Sequence, residues 1–344
     1  STLESLAVGQ KLTDSFDYSV TDGTNFTDAT VTVTITGEND IPVSTADVAR
    51  ARENGDVVLI DLFYNDRDVD AGDSLILHMP EMTTERGATL TNVVADRVTV
   101  GGTLEAGDSY SIAVTIGGVA TTVSYAVTSS DTEITDIELS LIELINTHET
   151  LSGVLNASSG PANGVLLISA KSADTTFSTT VNTTNAAAGD FDDASASVAR
   201  TKVVAYDPDS VSSFNAMTAG DKVVDTFSYK ALDAVSENDH ADISTTRVNI
   251  TVSGANDRPN AVSEAQAVDV IEDGDKVSID VLANDTDADT VDTPDTLILN
   301  SATSAKGATV TIVGDRVVYD PKDVDAFQSL GAGEILLTSM DRDG

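Results

Sequence analysis

The chain has 344 residues, with 57 acidic side chains against 18 basic ones and a formal net charge of −39. That balance excludes a nucleic-acid partner, because phosphate binding needs a basic surface. No cysteine is present, which excludes a disulfide framework and a thiolate metal site.

The length suits roughly two to three domains. Hydrophobic residues make up 40% but aromatic ones only 4%, a mixture rich in Val, Ile and Thr that favours β-structure with small cores. No stretch approaches the roughly 20 apolar residues needed to span a bilayer, and no signal peptide opens the chain. So much negative charge repels itself in a compact state unless something neutralises it. The acids cluster at repeated positions, so bound cations are the sharper reading and a solvated surface the blander one.

Residues 1–40 read as the C-terminal half of a β-domain. Phe16 and Tyr18 alternate with polar neighbours, the period of a strand. Thr21-Asp22-Gly23 is a turn signal, and residues 30–36 form a closing strand. That strand runs into Val31-Thr-Val-Thr-Ile-Thr-Gly-Glu-Asn-Asp-Ile-Pro42, and the pattern returns as Val248-Asn-Ile-Thr-Val-Ser-Gly-Ala-Asn-Asp-Arg-Pro259. Long matches at a fixed offset mark internal repeats. Each copy ends a strand and starts a new segment, so each reads as a joint between domains.

Residues 41–256 then form one complete repeat. Strands are expected at 57–62, 75–77, 88–94 and 97–100, with an acidic turn at 65–70. The segment from Asp257 shows the same order. Val58-Leu-Ile-Asp-Leu-Phe-Tyr-Asn-Asp-Arg-Asp-Val-Asp70 matches Val277-Ser-Ile-Asp-Val-Leu-Ala-Asn-Asp-Thr-Asp-Ala-Asp289, and Asp96-Arg97-Val98 matches Asp315-Arg316-Val317. Tyr206-Asp-Pro208 then matches Tyr319-Asp-Pro321, far closer in sequence. The middle repeat is therefore interrupted: its host parts are 41–98 and 204–256, and 99–203 is an insert. Val98 and Val204 are expected to lie close in space. Residues 257–344 read as a further β-repeat lacking its last strand.

The insert has its own pattern. Strands at 110–116 and 121–127 flank Gly117-Gly118, a hairpin signal. Residues 130–147 carry Ile134, Ile137, Leu141, Leu144 and Ile145 at helical spacing, with Ser130 and Glu133 placed for a capping box. Strands return at 165–170 and 177–182, and 186–196 reads as a return linker. The expected fold class is mainly β: tandem Ig-like or cadherin-like β-sandwich domains with a small α+β (ββαββ) domain inserted in the middle repeat.

Three acidic pieces recur at both joints: Asn39-Asp40 and Asn256-Asp257; Glu53-Asn-Gly-Asp56 and Glu272-Asp-Gly-Asp275; and Asp66-x-Asp68-x-Asp70 and Asp285-x-Asp287-x-Asp289. Each alone is an ordinary solvated turn. Together, twice, they offer the hard oxygens on flexible loops that Ca2+ prefers, whereas Mg2+ favours octahedral, partly hydrated sites. The loops lack the Gly and terminal Glu of an EF-hand.

These residues resemble the cadherin-like and VCBS-type repeats of giant RTX-type bacterial surface adhesins. The resemblance rests on the Gly-x-Asn-Asp-x-Pro joint, the Val-x-Ile-Asp-Val-Leu-Ala-Asn-Asp-x-Asp segment and the Asp-x-Phe-x-Tyr strand. It covers most of 1–98 and 200–344, and not the insert. It implies β-sandwich modules with calcium at the joints, strung into an extracellular, cell-surface extender that holds a binding tip away from the cell. The ligands it implies are Asn39, Asp40, Glu53, Asp66, Asp68 and Asp70 at one joint. At the other they are Asn256, Asp257, Glu272, Asp285, Asp287 and Asp289. The partners are neighbouring repeats of the same polypeptide.

Nothing points to catalysis. His78, His148 and His240 stand in separate contexts without metal-ligand spacing, and no nucleophile elbow or phosphate loop occurs. Two other functions stay open. The insert could grip a sugar or protein ligand, although its aromatics Tyr110, Tyr125 and Phe177 alternate as core residues do. Alternatively, the chain could be the subunit of a homo-oligomeric extracellular fibre assembled by strand complementation.

Overall fold

The computed structural model describes residues 3–186, 193–234, 243, 245–264, 268–271, 274–289, 297–305, 308–323 and 335–340. The chain is mainly β. The strands, in order, are β1 (Lys11–Thr21), β2 (Phe26–Thr36), β3 (Asp47–Arg52), β4 (Val58–Ile60), β5 (Ile76–His78), β6 (Thr89–Gly101), β7 (Ser109–Ile116) and β8 (Val119–Ala126). After the helix α1 (Ile134–Thr147) come β9 (Leu155–Ser159), β10 (Val165–Ala170), β11 (Phe177–Thr184), β12 (Ser195–Asp207), β13 (Lys222–Leu232) and β14 (Thr246–Ser253). The C-terminal segment adds β15 (Val277–Ile279), β16 (Ile298–Ser304), β17 (Thr309–Val313), β18 (Arg316–Asp320) and β19 (Ile335–Met340). They form sheets in the orders β1-β2, β4-β12-β6-β10-β9, β11-β7-β8, β3-β14-β13-β5, β15-β18-β17 and β16-β19.

Packing divides the chain into two units. One comprises 1–50, 56–207 and 224–251; the other comprises 51–55, 208–223 and 252–344.

In the first unit one core lies under α1. Ile137, Leu141 and Ile145 of the predicted stripe are fully buried, together with Leu166 and Ile168 of β10. Leu167, between them in sequence, points to the other face of its sheet and packs with Leu59, Ala95 and Val203. Strand side chains alternate between faces, so β10, buried on both, reads as a continuous apolar run. The β7–β8 hairpin turns at Gly117 and Gly118, with φ 57° and 84°. That left-handed backbone suits a two-residue turn and favours glycine.

The helix starts later than the sequence implies, at Ile134 with Glu133 as its N-cap. Ser130 is not the cap. Its hydroxyl bonds Thr128 Oγ1 at 2.7 Å, while Asp131 accepts from the Thr128 amide at 2.6 Å, so these residues close a turn ahead of the helix. Asp136 instead receives the Glu133 and Thr132 amides at 3.0 and 2.8 Å.

The register of β6 with β12 corrects where the extra chain enters. In the C-terminal segment Thr309 faces Asp320, and the β17–β18 hairpin closes where Val313 faces Arg316, over Gly314 at φ 65°. In the first unit Thr89 faces Asp207 and Val93 faces Val203, but both strands then run on to Gly101 opposite Ser195. The additional residues are therefore 94–202, hung from the tip of a lengthened hairpin. Val98 and Val204 are not neighbours: Val98 faces Val198, and Val204 faces Asn92. Nor is 186–196 wholly a linker, since β12 already begins at Ser195. The expected breaks near 95–96 and 203 fail because Asp96 does not turn the chain. It pairs with Arg200 at 3.1 Å within the ladder.

Both hairpins keep one ion pair by different means. Asp280 is answered by Arg316 of β18 at 3.3 Å, and Asp61 by Arg97 of β6 at 2.8 Å.

Candidate metal centres

Two acidic clusters stand out, one in each unit, and they share a framework of corresponding hydrogen bonds. In the first, the segment leaving β2 is clamped to the acidic turn by a two-way bridge between Val43 and Arg67, at 2.8 and 3.1 Å. The Asp40 amide then donates to Asp70 Oδ2 at 2.8 Å, the Asp70 amide donates to Asp68 Oδ1 at 2.9 Å, and Asn39 Nδ2 donates to the Asp40 carbonyl at 3.0 Å. In the second, Asn260 and Thr286 make the bridge, at 2.8 and 3.2 Å. Here Asp257 donates to Asp289 at 2.7 Å, Asp289 to Asp287 at 3.1 Å, and Asn256 to the Asp257 carbonyl at 2.9 Å. The joint sequence and the Asp-x-Asp pair are thus brought together in both copies.

The structure sorts the expected ligands differently in three respects. Asp66 and Asp285, the first acids of their triplets, turn away to fasten the incoming chain. Asp66 Oδ1 accepts the Thr45 amide at 2.7 Å, and Asp285 Oδ1 accepts the Val262 amide at 2.8 Å. Asp66 Oδ2 is taken by the Tyr229 hydroxyl at 2.8 Å.

Glu53 does not accompany Asn39 and Asp40. It sits with the second cluster, 1% exposed, accepting the amides of Met217 at 3.2 Å and of Ala255 at closer range. Its backbone amide bonds the Ser253 carbonyl at 3.1 Å, which fixes the glutamate at the exit of its own repeat rather than at the entry. Glu272, its counterpart in the sequence, lies outside the described residues.

The sequence reading also missed Asp73 and Asp233. Oxygen atoms of Asp68, Asp70 and Asp73 lie within 4.8 Å of one another. Asp233, fully buried at the end of β13, accepts Asn39 Nδ2 at 3.1 Å. A signal for Asp233 was available: Asp22 occupies the matching position after β1. For Asp73 there was none beyond its proximity to the triplet.

Electrostatics leave these groups ill at ease. Burial pushes the Asp68 carboxyl up, reinforced by the charges of Asp233, Asp70 and Asp73. Burial likewise raises Glu53, where repulsion from Asp257 and Asp289 adds to it and the Ala255 and Met217 amides oppose it. Asp257 is raised by burial and by Asp287. Among the described residues neither Asp68 nor Asp70 joins an ion pair.

Four buried oxygens, Asn39 Oδ1, Asp68 Oδ2, Asp70 Oδ1 and Asp287 Oδ2, have no hydrogen-bond partner. Buried polar atoms are normally satisfied, so an all-oxygen set with orphaned atoms fits a hard divalent cation.

No family model and no curated protein matches the chain. Among the described residues, no helix is long and apolar enough to cross a membrane.

Proposed function

We propose that the chain is a calcium-stiffened extender segment of a large secreted bacterial surface adhesin, a spacer that performs no catalysis. The observation that carries this reading is the pair of similar oxygen clusters, in which Asp68 Oδ2 and Asp70 Oδ1 of the first and Asp287 Oδ2 of the second are buried without a hydrogen-bond partner. Asn39, Asp40, Asp68, Asp70, Asp73 and Asp233 would hold calcium at the first. Glu53, Asn256, Asp257, Asp287 and Asp289 would hold it at the second.

A bound ion would supply the positive charge that the clustered carboxylates lack, and it would tie each joint segment to the acidic turn that follows. Such a tie would stiffen the joint segment, because the free energy of binding a metal that needs both pieces in place adds to the stability of their folded arrangement. Neighbouring repeats of the same polypeptide are the partners this reading needs. The insert favours a spacing role over a ligand site, since Tyr110 and Phe177 are buried in the core under α1.

The test is calorimetric titration of the chelator-treated chain with calcium, paired with melting curves in calcium and in chelator. Saturable binding and a higher melting midpoint in calcium are expected. An unchanged midpoint overturns the reading.

A further inference from the structure

The β1–β2 hairpin has one polar face and one apolar face. Residues directly opposite in an antiparallel pair share a face. Ser15, Asp17 and Ser19 lie opposite Thr32, Thr30 and Asp28, whereas Phe16 lies opposite Val31 and Tyr18 opposite Ala29. The apolar face is bare: Phe16 is 57% exposed and Val33 42%. The same pattern is buried elsewhere in the chain. Phe16 and Tyr18 match Phe227 and Tyr229 of β13, and Val33 matches Ile250 of β14. Those three are 5%, 0% and 0% exposed. There the pair β14-β13 lies between β3 and β5. Asp225, the match of Asp14, accepts the Tyr206 hydroxyl at 3.1 Å and the Thr84 hydroxyl at 2.5 Å.

The C-terminal segment reproduces what surrounds that pair. Its sheet order β15-β18-β17 repeats the order β4-β12-β6. Asp295-Thr-Leu-Ile-Leu299 repeats Asp73-Ser-Leu-Ile-Leu77, so β16 stands for β5, and Tyr319 stands for Tyr206. Within one chain β16 pairs with β19, Ile335–Met340. The sequence of β19 holds no Asp and no aromatic residue. With Asp14, Phe16 and Tyr18, β1 is the closer match to β13.

We propose that the apolar face of β1–β2 is a docking surface for a second copy of this chain, whose C-terminal segment receives the hairpin where the first unit holds β13 and β14, with β1 replacing β19 beside β16. Sheet edges pair with strands of other chains through their unpaired backbone groups. Burying the bare face adds the hydrophobic gain that the hairpin alone forgoes. Asp14 then meets the Tyr319 hydroxyl as Asp225 meets that of Tyr206, and Ser19 faces Asn300 as Lys230 faces His78. The two surfaces lie at different places on each copy. The contact is therefore head-to-tail, and copies add until a ring closes or a filament grows. It needs no cation, so it stands or falls independently of the calcium reading.

The test is light scattering of the full chain at rising concentration, after refolding from urea so that β19 gains no head start over β1. The mass of the wild type should climb to at least double that of the monomer. Phe16→Ser with Tyr18→Ser, both at positions exposed in the single chain, should stay monomeric. A wild type that remains monomeric overturns the proposal and leaves the face to a different chain. So does a climb that the double variant shares. Register is read with single-cysteine chains, since the chain has no cysteine of its own. Ser19→Cys and Asn300→Cys chains, refolded together and treated with a short thiol crosslinker, should join severalfold faster than Ser19→Cys with Val313→Cys, whose side chain is exposed at the β17–β18 turn. Equal rates overturn the proposed pairing.

Discussion

Replacing Glu53 by alanine removes the acceptor for two backbone amides, that of Met217 and that of Ala255, the latter just past the end of β14. An unsatisfied buried donor costs about 1–3 kcal/mol. Relief of the repulsion that Glu53 shares with Asp257 and Asp289 offsets part of that loss. The net cost without any cation should be about 2–4 kcal/mol, and glutamine, which keeps one acceptor oxygen, should cost about half as much. Urea unfolding in chelator measures the loss, and hydrogen exchange localises it: the Met217 and Ala255 amides should lose protection in the alanine variant. Because burial raises the Glu53 carboxyl above its ordinary 4.5, the wild type loses stability as pH rises through the raised value. The deficit of Glu53→Gln should therefore shrink toward alkaline pH. If Glu53→Ala is as stable as wild type in chelator, with both amides still protected, the glutamate has no structural task and the bond reasoning fails.

Three further substitutions and one deletion probe the rest of the scaffold. Arg97→Ala strands Asp61, whose side chain is 0% exposed, and should cost about 3–5 kcal/mol in urea unfolding, as breaking a buried pair does; adding Asp61→Asn should recover part of the loss. Gly164→Ala places a Cβ 2.6 Å from the Val100 carbonyl at a residue with φ +78°, so the urea midpoint should drop by more than the roughly 1–2 kcal/mol of left-handed strain alone. Asn54 has φ 50° and donates to Asp257 at 2.7 Å, so thermal melts should show Asn54→Ala more damaging than Asn54→Gly, by about 1 kcal/mol. Deleting 94–202 and joining Val93 to Val203 through Gly-Asp should give a better-folded product by circular dichroism than deleting 99–203, which would leave β6 overhanging its partner. Even the better deletion should melt lower than the full chain, because Leu167 covers Leu59 and Val203.

The strands and the helix were legible because their signals are local. Alternation in β7 and β8, the Gly117-Gly118 turn and the stripe Ile137, Leu141, Ile145 each decide a structure within one stretch. What the sequence hid was register. Aligning Asp96-Arg97 with Asp315-Arg316 placed the interruption five residues late. The arginine does the same work in both segments, but from β6 in one and β18 in the other. Conserved chemistry on a neighbouring strand imitates conserved position.

The acidic clusters show the same limit at closer range. The repeated Asn-Asp and Asp-x-Asp pieces converge as their spacing suggests, because a turn puts alternate carboxylates on one side. Spacing cannot say which end of a repeat a glutamate serves, and Glu53 was assigned to the joint nearest in sequence. The bond from its amide to the Ser253 carbonyl at 3.1 Å settles that question, since pairing with the segment after β14 carries the residue to the exit. Asp66 has hydrogen-bond partners of its own for a related reason. A third acid in an alternating triplet looks equivalent to the other two until the incoming chain is present, and the Thr45 amide then claims it. Long-range pairing selected among carboxylates that local pattern had made equal, and the same pairing drew in Asp233 from β13.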